Sequence, residues 1–166
     1  VIEAIEYYGK RYARRYNSLY LGGGTPLLLG EKHLCDIMEG AKPFLTSDAE
    51  VTTEGNPGIS ERVDFSVLKN AGINRLSFGV QSFDDNELKM LGRLHDSAQA
   101  IAAIETAKKV GFDNISADLM LAVSGQTFES LGRSLDTVAR LPLTHISAYM
   151  LKVEEGTPLA ADEKLL

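Results

Sequence analysis

The chain has 166 residues, 44% of them hydrophobic and 24% charged, which is one domain's worth of sequence with an ordinary globular balance. Its formal net charge is −6, and its densest basic cluster, Arg11, Arg14 and Arg15, reads as the solvated face of a helix, so the composition argues against nucleic acid as a partner. No apolar stretch approaches the ~20 residues of a transmembrane segment, no secretory signal is present, and the single cysteine, Cys35, rules out an internal disulfide framework and suits the cytoplasm.

Helical and extended patterns alternate along the sequence. Residues 1–15 read as a helix with Ile2, Ile5 and Tyr8 or Gly9 on one face. Leu19–Gly22 reads as a strand that ends abruptly in Gly22-Gly23-Gly24-Thr25-Pro26. Glycines there place no Cβ between the backbone and a docking ligand, and they tolerate positive φ. A helix over 31–41 follows, with Leu34, Ile37, Met38 and Ala41 at helical spacing. The strand over 49–54 closes on the loop signal Gly55-Asn56-Pro57-Gly58. Ser60 is the expected cap of a helix running to Asn70 and stopping before Gly72.

A strand over 75–80 and a short helix around 85–91 come next. Ser97 is the expected cap of a longer helix ending at Gly111, and residues 114–121 form a strand. Thr127 caps a helix with Leu131, Leu135 and Val138 on one face, and residues 144–153 form the last strand. A faint repeat links Ala71-Gly72-Ile73-Asn74-Arg75-Leu76-Ser77 to Val110-Gly111-Phe112-Asp113-Asn114-Ile115-Ser116, each a helix stop running into a strand.

Five strands joined by helices predict an α/β fold with a parallel sheet and right-handed crossovers, either barrel-like or open. Strand parity chooses between them. Leu76, Phe78 and Val80 oppose Ser77, Gly79 and Gln81; Ile115, Ala117 and Leu119 oppose Ser116 and Asp118; Ser147 and Tyr149 share a face. An open sheet covered on both sides wants two apolar faces, and a filled barrel wants bulky aliphatic residues inside. One small, polar face on strand after strand fits a wide, incomplete barrel around a polar ligand. Such barrels bind at the carboxyl ends of their strands, where the glycines, Glu54, Gln81 and Asp118 fall.

Five motifs occur in order: Tyr20-Leu21-Gly22-Gly23-Gly24-Thr25-Pro26; Glu54-Gly55-Asn56-Pro57; the run from Gly72 through Gln81-Ser82-Phe83; Leu91-Gly92-Arg93-Leu94-His95; and Asn114-Ile115-Ser116-Ala117-Asp118-Leu119-Met120. Together they resemble the radical S-adenosylmethionine (SAM) barrel of oxygen-independent coproporphyrinogen III oxidase and its haem-chaperone relatives. Gln-Ser-Phe and Gly-Arg-Leu-His look more like the haem-chaperone branch. The resemblance implies a partial (β/α)6 TIM-like barrel that binds SAM beside a [4Fe–4S] cluster, with porphyrin or haem as a further partner. Residues 1–166 would be strands two to six of that core domain, truncated at both ends and lacking the first strand. The family's CxxxCxxC motif is absent, and Cys35, mid-helix and without a partner cysteine, is no substitute for thiolate ligands. The motif is expected upstream of Val1.

The resemblance also implies residue roles. Backbone groups around Gly23, Gly24 and Thr25 would meet the methionine end of SAM. Glu54 would take a cation or a hydroxyl pair, and Gln81 the ribose or methionyl part. Arg93 would grip a carboxylate with its forked guanidinium, and Asp118 would accept ribose hydroxyls. His95 is the most tempting of the three histidines, and Tyr149 either lines the pocket or plugs the barrel. The run Leu121-Ala122-Val123-Ser124-Gly125-Gln126-Thr127 stands where the family usually has Tyr-Gly-Leu-Pro-Gly-Gln-Thr, which leaves the conformation of that cofactor-facing loop open; Gly156-Thr157-Pro158 retains the family's trailing motif. Two other readings stand beside this one: an iron-free β/α barrel with Gly22–Gly24 as a phosphate loop, and a folded remnant that binds nothing.

Overall fold

The computed structural model describes residues 1–156 and Ala160; Thr157 and Pro158 of the trailing motif lie outside the described residues. Five parallel strands form a single curled sheet in chain order: β1 Tyr16–Leu21, β2 Leu45–Gly55, β3 Arg75–Gln81, β4 Asn114–Leu121 and β5 His145–Met150. Helices return the chain between them: α1 Ile2–Tyr12 before β1, then α2 Gly30–Ala41, α3 Pro57–Ser60, α4 Phe65–Ala71, α5 Asp85–Met90, α6 Ser97–Val110 and α7 Phe128–Arg140. The sheet is the incomplete barrel that strand parity predicts.

Parity governs the packing. Val51, Leu76, Phe78, Val80, Ile115 and Ala117 point outward and pack with Leu34 and Met38 of α2, Leu68 of α4 and Ile104 of α6 in one core. Phe65 anchors that core, with Phe78 and Phe112 at ring-centroid distances of 5.9 and 6.4 Å, both edge to face. The opposite face is concave and polar. Ser116 donates to Ser77 at 2.8 Å, and Arg75 reaches Thr52 and Ser116 at 3.3 and 3.1 Å.

The repeated helix stops share one mechanism. Gly72 and Gly111 are left-handed (φ +106° and +101°) and close α4 and α6. The next residues, Ile73 and Phe112, donate back to Leu68 and Ala107 and are fully buried, as in a Schellman motif. Asn74 then stitches β3 to β2, its carboxamide accepting from the Val51 amide and donating to the Ala49 carbonyl, each at 2.8 Å.

Three expectations change. Ser60 caps nothing: Asn56 and Pro57 start a separate turn, α3, in which Ser60 is the last residue, and Asp64 caps α4 by accepting from Ser66 at 2.8 Å. Asp96, not Ser97, caps α6, through a reciprocal box with Gln99. On α7 the buried face is Ser130, Ser134 and Val138, whereas Leu135 is 47% exposed. Ser130 and Ser134 turn inward because each has a hydrogen-bond partner there. Thr127 caps α7 as expected, accepting from Ser130 at 3.1 Å.

Thr53 lies on the apolar face of β2, fully buried, and its hydroxyl has no partner. A buried, unpaired hydroxyl costs about 1–3 kcal/mol, while valine has the same β-branched shape. Thr53→Val is therefore expected to stabilise the intact protein by about 1 kcal/mol, read as a higher denaturant midpoint at unchanged m-value. A lower midpoint would contradict this reading of the outer face.

Candidate active site

Past the carboxyl ends of β1–β4 the inner face opens into a cleft of about 220 Å3, lined by Gly24, Thr25, Glu54, Gly55, Asn56, Ser77, Gly79, Gln81, Arg93 and Asp118. Six of the seven expected site residues lie in this lining. The seventh, Gly23, joins it through its amide, which donates to Glu54 at 3.3 Å. Gly23 and Gly24 both have φ +85°. Only glycine holds two successive left-handed residues without strain, so these two turn the backbone across the mouth of the cleft.

Glu54 is fixed from two sides. Its carboxylate accepts from the Tyr20 hydroxyl at 2.8 Å as well as from Gly23. Packing around the Tyr20 hydroxyl and the bond to Glu54 push that phenol up to about 12, so it remains the donor. Gln81 ends β3 at φ +71°, a left-handed residue at an irregularity in the β3–β4 register, and this turn aims its amide into the cleft. Gly79 lets it happen: an added Cβ there would meet the Gln81 amide nitrogen at 3.2 Å and Arg93 Nη2 at 3.3 Å.

Arg93 enters from the loop after α5. Its Nη2 donates to the Gly79 carbonyl at 2.9 Å, but its Nε is buried without a partner, and burial lowers its pKa. Among the described residues no carboxylate pairs with it. Asp118, half-buried on β4, has the complementary problem: burial raises its pKa, as does the nearby Glu54 charge, against the opposing effects of Ser147, Arg75 and His145. The cleft thus holds an under-coordinated guanidinium at one place and carboxylates with accepting capacity at others. This arrangement suits a ligand that carries a carboxylate, a cationic group and hydroxyls.

His95 is not in the lining. It is 3% exposed, and its two ring nitrogens lie 3.1 Å from Asn56 Oδ1 and 3.0 Å from the Val80 carbonyl. It pins the Arg93 loop to the ends of β2 and β3. Tyr149 is 56% exposed on β5 and plugs nothing. Ser77 and Gly79 were legible as members of the polar face, though not as lining, and Gly55 and Asn56 only as a loop signal.

A larger hollow of about 650 Å3 lies at the opposite, amino-terminal end of the barrel, among Tyr20, Glu50, Arg75, Asn114, Thr144 and His145. Most of its polar side chains already have partners: Asn114 donates to Glu50, Thr144 to Asn114, and Arg75 to Thr52 and Ser116. Of these two, the cleft at the carboxyl ends is the better candidate because it offers a buried guanidinium donor with nothing to bond.

The chain is 41% identical to the heme chaperone HemW of Bacillus subtilis over 143 residues, which cover 84% of this chain and 38% of that protein. It is 36% identical to the mitochondrial radical S-adenosyl methionine domain-containing protein 1 of Bos taurus, over 96% of this chain and 36% of the relative. Among solved structures it matches the coproporphyrinogen III oxidase HemN of Escherichia coli, a radical SAM enzyme, with TM-score 0.77 and 27% identity, over 91% of this chain and 36% of that one. The chain therefore spans well under half the length of these relatives. The family model of the radical SAM superfamily matches residues 1–138. With that match over a half-barrel of the same type, the chain belongs to the radical SAM superfamily.

Proposed function

We propose that the cleft binds SAM and that residues 1–166 form strands two to six of the core domain of a haem-chaperone-like radical SAM protein. The observation that carries the reading is Arg93, which lines the cleft and whose buried Nε has no partner. SAM's methionyl end carries a carboxylate and an ammonium, and its ribose carries a diol. Arg93 would take the carboxylate, Glu54 and the backbone of Gly23, Gly24 and Thr25 the ammonium end, and Asp118 the ribose hydroxyls. Gln81, both donor and acceptor, would bridge the ribose and methionyl parts. Of these groups, Arg93 Nε is the one that the cleft leaves without a partner.

The family's one-electron chemistry is supplied by a [4Fe–4S] cluster, and the described residues hold no set of ligands for it. Among them no group of three or more His, Cys, Asp or Glu could hold a metal, and Cys35, the chain's one cysteine, sits partly buried on α2. Cluster ligation belongs to the longer protein in this proposal. This chain's part is to bind and orient the sulfonium cofactor. The preference for haem carriage over propionate decarboxylation rests on the higher identity to the HemW relatives, 41% against 27% for HemN, and on Gln81-Ser82-Phe83 and Gly92-Arg93-Leu94-His95. Haem is then the cargo. No helix among the described residues is long and apolar enough to cross a membrane, and the single cysteine goes with a cytoplasmic location.

In the intact protein, Arg93→Met is expected to weaken SAM binding by about 2 kcal/mol, roughly thirtyfold, the size of a lost charge-assisted hydrogen bond. Thermal stability should change little, because loss of the Nη2 bond to the Gly79 carbonyl is offset by removal of the buried, unpartnered Nε. Calorimetric titration with SAM checks the affinity and a thermal melt checks the stability. Wild-type affinity in the variant would sink the assignment of Arg93, and no SAM binding by the wild type would sink the proposal itself.

Asp118 adds a pH signature. Its raised pKa means that the folded protein holds a proton that the unfolded chain has already released, so the free protein loses stability as pH rises from about 3.9 through the raised value. SAM hydroxyls donate to the ionised form, so affinity should rise across the same window. Asp118→Asn is expected to flatten both profiles, and a variant with the wild-type slope in either would contradict the role.

A further inference from the structure

Glu87 is a glutamate in the first turn of a short surface helix, α5, yet only 3% of it is exposed. No cation among the described residues forms an ion pair with it. Its carboxylate is satisfied by neutral donors instead: Ser82 and Ser130 hydroxyls at 2.6 Å each and the Gln126 amide at 3.0 Å. Charge-assisted bonds of this length are the stronger kind, and they join three segments. Ser82 follows Gln81 at the end of β3, Ser130 lies in the first turn of α7, and Gln126 closes the loop after β4.

The β4 loop needs that closure. Ala122 has φ +58°, a left-handed conformation that is strained for a residue with a Cβ. It stands at the position where a glycine is usual in the motif that this loop resembles. Gln126 holds the turn from both ends, its Oε1 accepting from the Ala122 amide at 2.9 Å and its Nε2 reaching the Met120 carbonyl at 3.3 Å. The same Nε2 is tied to Glu87. At the other end of the chain of bonds, Ser82 is anchored to Glu87 directly behind Gln81, the second left-handed residue of the site. Both non-glycine left-handed residues that follow inner strands therefore hang on one buried carboxylate.

We infer that Glu87 is a positioning residue that locks the β3 and β4 loops together through Ser82 and Gln126, and so holds Gln81 and the strand bearing Asp118 in register for the cofactor. This rests on the reading of the cleft as a SAM site. Glu87 touches no ligand; it acts through Gln126 on the backbone of Ala122.

The test uses the intact protein with two readouts, amide hydrogen exchange across 120–126 without ligand and the dissociation constant for SAM. Glu87→Met keeps the volume and removes the acceptor. It should speed exchange across 120–126 and weaken SAM binding, each by about tenfold, as for one lost hydrogen bond, while exchange in β2 stays at the wild-type rate. Glu87→Gln, whose carbonyl can still accept from Gln126, should retain most of the affinity. Adding Ala122→Gly to Glu87→Met should bring SAM affinity back to within about threefold of wild type, because glycine holds the turn without the tie. Gln126→Leu cuts the same link without altering the buried carboxylate, and should speed the same exchange even if Glu87→Met fails to fold. Unchanged exchange in Gln126→Leu and Glu87→Met would overturn the inference. So would an affinity loss that Ala122→Gly leaves unrepaired, which marks a merely structural role. If the wild type binds no SAM, the reading of the cleft fails, and the exchange arm still decides the tie.

Discussion

The rest of this structure depends on the period of a parallel strand, which gives alternate residues to opposite faces. Helices return on one side only, so one face of each strand must be apolar and the other is free of that demand. Leu76, Phe78 and Val80 satisfy the first requirement on β3, and Ile115, Ala117 and Leu119 on β4. The freed positions become Ser77, Gly79, Gln81, Ser116 and Asp118. They are small enough to leave space and polar enough to keep it wet. That alternation places Glu54, Gln81 and Asp118 on the inner face, while the Gly23–Thr25 turn and Arg93 reach the cleft from loops.

The cleft also depends on donors that the fold does not satisfy internally. Most polar groups of the concave face bond to one another, as in the run from Arg75 through Ser116 to Ser77. Arg93 is the exception, with a buried Nε left open, and Asp118 carries a carboxyl whose ionised form burial disfavours. Both conditions are relieved by one ligand with an anionic and a hydroxylated part. Rigidity around them comes from side chains that never face the cleft: His95 between Asn56 and Val80, and Glu87 beneath two loops.

Much of this was legible in the sequence because it rests on short-range rules. The period of two gave the inner and outer faces of β3 and β4, and glycine after a helix gave the stops at Gly72 and Gly111. The ordered motifs gave Gly24, Thr25, Glu54, Gln81, Arg93 and Asp118, which line one cleft. What was hidden depends on partners distant in sequence. Ser60 and Ser97 look like caps, but Asp64 and Asp96 take the positions because the preceding turns end where they do. Leu135 fits a helical stripe, yet Ser134 is the inward residue because its hydroxyl meets the Phe83 amide. Glu87 gave no signal at all. A glutamate on a short helix reads as solvated, and only the folded chain brings Ser82, Gln126 and Ser130 around it. The loop around Ala122 was open for the same reason, since its closure is a side-chain bond from Gln126.

The most direct test of the central claim is a structure of the intact protein with SAM bound. SAM is predicted in the cleft between the Gly23–Thr25 turn and Asp118, with its methionyl carboxylate on the Arg93 guanidinium. SAM bound elsewhere, or bound with Arg93 still lacking an anionic partner, would contradict it.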